Sequence, residues 1–171
     1  PPDGFNPRMQ MFLWTPAGPQ TDKLIINSPL DIAGSYLAIE ASFGPVLTPT
    51  PITSNLVLVE DSNSSTDSTD PHDACDPFVN ATDINGKIAV INRGECTFVD
   101  KIQQAQDAGA IAVIMINNVL DSPFSMGGFS NTINIPSVMV SLIDGAQVRN
   151  KLQNGETINA TLFNNGPFAI D

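Results

Sequence analysis

A single histidine, two cysteines and a crowd of carboxylates are the residues on which this chain could build chemistry. His72 and Cys75 lie three positions apart, and Cys96 opens a later turn. Between Glu60 and Asp83 stand seven carboxylates (Glu60, Asp61, Asp67, Asp70, Asp73, Asp76, Asp83) with no lysine or arginine among them. A zinc site of the HExxH kind needs two histidines one helical turn apart with a glutamate between them, which one histidine cannot supply. A serine or cysteine nucleophile would have to recruit His72 as its base, and no G-x-S-x-G stretch is present. His72 reads as a solvated loop residue. Cys96 sits at a helix start, where a thiol pKa falls. An even cysteine count, with one in a polar loop and one at a turn, suggests a disulfide instead; two free thiols are the alternative. Arg93-Gly94-Glu95-Cys96 carries one glycine and a glutamate, which suits a tight turn better than a phosphate cradle. No catalytic constellation emerges.

Two stretches are candidates for binding. In the acidic segment, Asp61, Asn63 and Ser65, or Asp67, Asp70 and Asp73, offer oxygen ligands of the type calcium takes, without the spacing of an EF-hand. The plainer reading is a solvated acidic face. Met126-Gly127-Gly128-Phe129 places a glycine pair between apolar side chains, either to contact a peptide or protein partner or to pack over a sheet edge. An uncovered strand edge would also accept an extended peptide. Asn63-Ser64-Ser65, Asn80-Ala81-Thr82 and Asn159-Ala160-Thr161 have the form of N-glycosylation acceptors.

The elements that position these residues centre on Gly86–Gly109. Lys87–Asn92 is an apolar run of strand length. Arg93-Gly94-Glu95 is a turn whose glycine is expected at positive φ. Thr97 and Asp100 form a helix-start pair, Phe98, Ile102 and Ala105 share a face, and Gly109 stops the helix. Ala110–Ile116 is the next strand, so the unit is β-α-β with parallel strands. Downstream, 117–134 is a loop, and Ile135–Val140 is a strand. Ser141 and Asp144 repeat the helix-start pair, and Asn154-Gly155 ends that helix. Glu156–Phe163 alternates as a half-buried strand, with Ile158, Ala160 and Leu162 on one side. Upstream, nine of the fourteen prolines precede residue 52, which argues against long helices there. Lys23–Asn27, Tyr36–Ser42 and Asn55–Glu60 are strand candidates, and 60–86 is a long surface loop. Arg8–Thr15 is an apolar strand candidate with no partner nearby. The sum is an α/β or α+β fold: a sheet or distorted open barrel with two short helices packed on it.

The totals agree with one globular domain. The chain has 171 residues, 42% hydrophobic and 15% charged, with net charge −11. Such an acidic surface repels phosphate backbones and anionic lipid, so no nucleic-acid or membrane partner is expected. No apolar run approaches the roughly 20 residues of a membrane span. No signal peptide opens the chain, which leaves a cytosolic protein or a piece of a longer one. Low lysine content and an Asn/Ser/Thr-rich acidic surface favour export.

Gly86-Lys87-Ile88-Ala89-Val90-Ile91, Arg93-Gly94-x-Cys96-x-Phe98, Lys101, the Ala105–Gly109 helix end and Ile135-Pro136-Ser137-Val138 together resemble the protease-associated (PA) domain, over roughly residues 22–165. The resemblance implies a non-catalytic module of a secreted peptidase or a sorting receptor, with Cys75 and Cys96 joined in a disulfide. Asp3-Gly4-x-Asn6-x-Arg8–Trp14 and Gly166–Asp171 resemble segments that precede the zinc-binding helix of fungalysin-type metallopeptidases. On that reading 1–19 and 166–171 are stubs of a host and 20–165 is the inserted PA domain. Zinc would belong to the host catalytic domain alone. The implied role is to recognise protein or peptide substrate or limit access to the host active site; the alternative is a structural insert that stabilises or orients the host. The peptidase-like stubs count against a sorting receptor.

Overall fold

The computed structural model describes residues 23–65 and 68–164; residues 1–19 and 166–171, expected to be stubs of a host, and the 8–15 strand candidate lie outside the described residues. Eight strands form one sheet: β1 Leu24–Ser28, β2 Gly34–Tyr36, β3 Ile39–Glu40, β4 Ile52–Leu58, β5 Ile88–Asn92, β6 Ala112–Ile116, β7 Ser137–Val140 and β8 Asn159–Leu162. Three helices accompany them: α1 Ala81–Ile84, α2 Phe98–Asp107 and α3 Leu142–Gln153. The fold is therefore α/β, with one helix more than expected. The extra one, α1, is a single turn at the end of the acidic segment.

The strand order is β2-β1-β8-β4-β5-β6-β7-β3. Strands β4 to β7 run parallel, and β8, β1, β2 and β3 join antiparallel. The outermost strands β2 and β3 are linked by Leu37 and Ala38 alone. So short a link spans only ~11 Å fully extended. It draws the two edges of the sheet toward each other, as the open-barrel expectation requires. It also breaks the expected Tyr36–Ser42 strand in two.

β5 and β6 are buried along their whole length, as parallel strands covered on both faces must be. Their side chains alternate between two cores. Ile88, Val90, Ala112, Ile114 and Ile116 join Leu24, Leu56, Val138, Ala160 and Val148 of α3. Ala89, Ile91, Val113 and Met115 join Met139, Phe43 and Ile102 and Ala105 of α2. Burying each large aliphatic side chain contributes about 1.5–3 kcal/mol. In β8, Ala160 and Leu162 are buried and Asn159 and Thr161 are not, in the alternation read from the sequence.

Both long helices start at the residues that the capping pairs mark. The Thr97 hydroxyl accepts from Asp100 N–H at 3.1 Å and donates to Asp100 Oδ2 at 2.6 Å. Ser141 does the same with Asp144, at 3.1 and 2.8 Å. Gly109, at φ +89°, closes α2, and a Cβ there would stand 2.5 Å from Asn85 Oδ1. Gly145 lets α3 lie against β6, since a Cβ would meet Ile116 Cγ2 at 2.3 Å.

Candidate functional site

The strand ends fix where the chemistry-bearing residues gather. Parallel strands β5, β6 and β7 finish together, and the turns that follow carry Arg93, Asn117 and Ser141. This edge, beyond the carboxyl ends of parallel strands, is where open α/β sheets place ligands.

The acidic segment is anchored to this edge from below. Cys75 and Cys96 form the disulfide, with Cα atoms 5.5 Å apart. Lys101, on the first turns of α2, is completely buried. Its ammonium donates to the Asp73 carbonyl and to Cys75 Sγ (3.0 Å) and lies 3.7 Å from Asp73 Oδ2. Asp73 also accepts from Ser68 Oγ at 2.7 Å and from Cys75 N–H at 3.0 Å. Burial lowers the Lys101 pKa, opposed by the attraction of Asp73, Asp70 and Asp61. Lys101 follows Phe98 by three residues and precedes Ala105 by four, so helical spacing alone puts it on the buried face. That spacing is the signal by which its anchoring role was readable.

Gly94 packs against the same carboxylate. Its backbone is not in the left-handed conformation expected of it. The constraint is space: a Cβ would stand 2.1 Å from Asp73 Oδ2.

The candidate calcium ligands are spread through this network. Asp61 is buried; its Oδ1 accepts from Asn63 N–H at 3.0 Å and its Oδ2 has no partner among the described residues. Desolvation raises its pKa, helped by Asp73 and Asp76 and opposed by the Asn63 N–H. Asp70 accepts from His72 N–H (3.0 Å) and Asn92 Nδ2 (2.8 Å), and Asp73 faces Lys101. Asn63 is exposed, and Asp67 lies outside the described residues. Among the described residues no three of His, Cys, Asp and Glu are grouped to hold a metal ion. Asp76 accepts from Ser65 N–H and from the hydroxyls of Ser64 and Ser65. Burial alone would raise its pKa, but these bonds outweigh burial and lower it.

His72 is not the solvated residue expected. It is half-buried, with Nδ1 at 2.7 Å from the Val59 carbonyl and Nε2 at 3.2 Å from Gln153 Nε2. Its carbonyl accepts from Asn92 N–H, so it ties the acidic segment to β5 and α3.

Above this anchor lies a polar cleft of about 320 Å³, between Ser68, Thr69 and Asp70 on one side and Arg93, Glu95 and Asn118 on the other. The Arg93 guanidinium is held in place: Nη1 donates to Asn117 Oδ1 at 3.0 Å, and the group sits 5.0 Å over the Phe124 ring. Phe124 in turn meets Phe98 edge-on at 6.2 Å. A second groove of about 370 Å³ runs between Leu37, Leu120, Pro123, Leu142 and Ile143. Leu120 and Ile143 are largely exposed on its rim. The cleft thus holds one cation, Arg93, beside the carboxylates Asp70, Asp73 and Glu95, and the groove has apolar walls.

The 126–129 stretch divides. Met126 is fully buried and its carbonyl accepts from Ser42 N–H (2.9 Å) and Ser42 Oγ (3.0 Å). Gly128 packs on Val99 and Phe43, where a Cβ would collide. Gly127 and Phe129 face outward, and Phe129 is 87% exposed. Of the four residues, Met126 is thus packed into the core and the Phe129 ring projects.

Over 101 residues the chain is 34% identical to the PRADC1-like protein of Drosophila melanogaster, covering 55% of this chain and 52% of that protein. It is 38% identical over 76 residues to the minor extracellular protease Vpr of Bacillus subtilis (strain 168), covering 44% of this chain and 9% of that protein. Among solved structures it is similar to BSAP, a zinc aminopeptidase from Bacillus subtilis, with a TM-score of 0.55 and 26% identity over 84% of this chain and 31% of that one. The chain therefore spans about half the length of the first relative and a minor part of the other two. Residues 52–148, more than half the chain and running from β4 into α3, match the family model of the PA domain, and the chain belongs to that family.

Proposed function

We propose that this chain is a non-catalytic binding module of a larger secreted peptidase and that it engages extended segments of protein substrate, or screens them from the host active site. The observation that carries this reading is the fixed Arg93 guanidinium lining a polar cleft, on a chain that also carries an apolar groove. Its cation and the neighbouring amide groups suit main-chain carbonyls, and the groove suits apolar side chains. Similarity to an extracellular protease and to a zinc aminopeptidase supports a secreted, zinc-dependent host. The fungalysin-type assignment of that host rests on residues 3–14 and 166–171. It stands if an HExxH helix follows Asp171 in the parent sequence.

The test is a pair of variants in the parent peptidase, Arg93→Glu and Leu120→Asp. The expected result is a higher KM on protein substrates with unchanged turnover of short peptides. Unchanged kinetics on both substrate classes would overturn the reading.

A structural insert is the second reading, and one observation favours it. Phe163 N–H donates to the Lys23 carbonyl at 3.2 Å, so the described module enters and leaves through adjacent strands, as an inserted domain does. Deleting residues 22–165 from the parent separates the two: loss of folding supports the structural role, and loss of activity on large proteins alone supports recognition.

A further inference from the structure

Three asparagines have the sequence of an N-glycan acceptor: Asn63, Asn80 and Asn159. The transfer joins asparagine Nδ2 to C1 of a sugar. Nδ2 attacks C1 of a lipid-linked oligosaccharyl pyrophosphate, the C1–O bond breaks, the pyrophosphate leaves with that electron pair, and the amide gives up one proton. The folded chain must then carry a bulky polar group on Nδ2, so surface loops suit it.

Two of the three positions resist this. Asn80 is half-buried where β4 meets α1. Its Nδ2 donates to the Leu58 carbonyl and its Oδ1 accepts from Glu60 N–H, both at 2.9 Å. A sugar on that nitrogen points at the backbone of β4. Asn159 lies in β8 with a strand on either side. Its Nδ2 donates to Asn55 Oδ1 at 3.0 Å and its Oδ1 accepts from Asn27 Nδ2 at 2.8 Å. The hydroxyl of Thr161, the third residue of that tripeptide, is bound by Asn27 and Thr53.

Asn63 differs on each count. It is exposed, stands in the acidic loop at φ 45°, and its Nδ2 makes a long 3.4 Å contact with the Thr69 carbonyl. We infer that Asn63 is the N-glycan acceptor of this chain and that Asn80 and Asn159 are not. Because Asn63 adjoins Thr69, the glycan stands at the rim of the Arg93 cleft.

The inference rests on the secretory setting proposed above, and its test keeps the two apart. The full chain, directed into the secretory pathway of a eukaryotic host, is compared with Asn63→Gln, Asn80→Gln and Asn159→Gln. Gel mobility before and after peptide-N-glycosidase, together with mass spectrometric mapping of the wild-type chain, reads the site directly even if a variant fails to fold. One glycan, mapped to Asn63 and lost only in N63Q, is expected. A glycan mapped to Asn80 or Asn159, or a secreted wild-type chain without one, overturns the assignment. A parent isolated from its own source without a glycan, alongside a secreted chain modified at Asn63, overturns passage of the parent through a eukaryotic secretory pathway and supports the site.

Discussion

The Lys101 ammonium lies 3.7 Å from the Asp73 carboxylate, and neither side chain is exposed to solvent. A buried pair of this kind is expensive to assemble and more expensive to break, because the survivor is left charged and unpaired. Lys101→Met is expected to destabilise the fold by about 3 kcal/mol, and Asp73→Asn by a similar amount. The double variant should lose clearly less than the sum of the two, since no charge is stranded. Urea unfolding of the four proteins checks this; strict additivity would mean that the pair is not coupled.

Gly94 touches the same carboxylate from the other side. An added methyl group falls 2.1 Å from Asp73 Oδ2 and 2.8 Å from its Cβ. Asp73 would have to leave Ser68 and Lys101 to make room. Gly94→Ala is expected to cost about 1–3 kcal/mol, the range of overpacked sites. In the background of Asp73→Ala the cost should shrink without vanishing, since the carboxylate is gone and the Cβ at 2.8 Å stays, which a thermal melt would read.

The disulfide bounds the most polar loop of the chain. In the chain-entropy model, closing a loop of this length stabilises by about 3 kcal/mol. Replacing Cys75 and Cys96 together by serine should lower the midpoint of unfolding and open the 60–80 segment to proteases, leaving the β5–β7 core protected. Cleavage elsewhere first would show that the loop is held without the disulfide, by contacts such as those of Lys101 and His72.

Two carboxylates give the acid limb opposite slopes. Asp76 has a folded pKa below the ordinary 3.8. It therefore contributes stability that is fully present above about pH 4 and is lost as pH falls through its folded value. Asp61 has a folded pKa above 3.8, so its folded form holds a proton that the unfolded chain has released. Its contribution falls as pH rises from 3.8 through that raised value. Asp76→Asn should flatten the loss of stability below pH 4. Asp61→Asn should gain stability at pH 7 relative to wild type, with the difference shrinking toward pH 4. Chemical denaturation at four or five pH values measures both.

Calcium offers a further check on the acidic loop. Asp70 and Asp73 are engaged by Asn92, His72, Ser68, Cys75 and Lys101, and Asp61 Oδ2 has no partner among the described residues. Millimolar calcium is expected to move the melting temperature by less than about 1 °C, because an ion bound at [L] = 100 Kd would add about 2.7 kcal/mol and shift it by several degrees. A shift of that size would assign the loop to calcium.

What was legible in the sequence was local. Thr97 with Asp100 and Ser141 with Asp144 act within one helical turn, so the cap geometry follows from spacing alone. The alternation of Ile158, Ala160 and Leu162 against their polar neighbours likewise reports the burial of β8. What was not legible depends on contacts distant in sequence. Met126 is buried because Ser42 and the core around Phe43 receive it, and nothing in Met126-Gly127-Gly128-Phe129 announces that. The Arg93 cleft needs Asn117 and Phe124, drawn in from the loop after β6. His72 looked solvated because Val59, Asn92 and Gln153 come from three separate elements.

The place of β8 has a consequence for how the chain is made. It pairs with β1 on one side and β4 on the other, yet it is the last of the eight strands to be synthesised. On a ribosome adding 5–20 residues per second, the facing edges of β1 and β4 wait about 5–20 s for their partner. During that interval two apolar strands stand open to pairing with other nascent chains. The module closes only when its final strand slides between its earliest ones, so a stalled or truncated translation product should aggregate rather than fold in part.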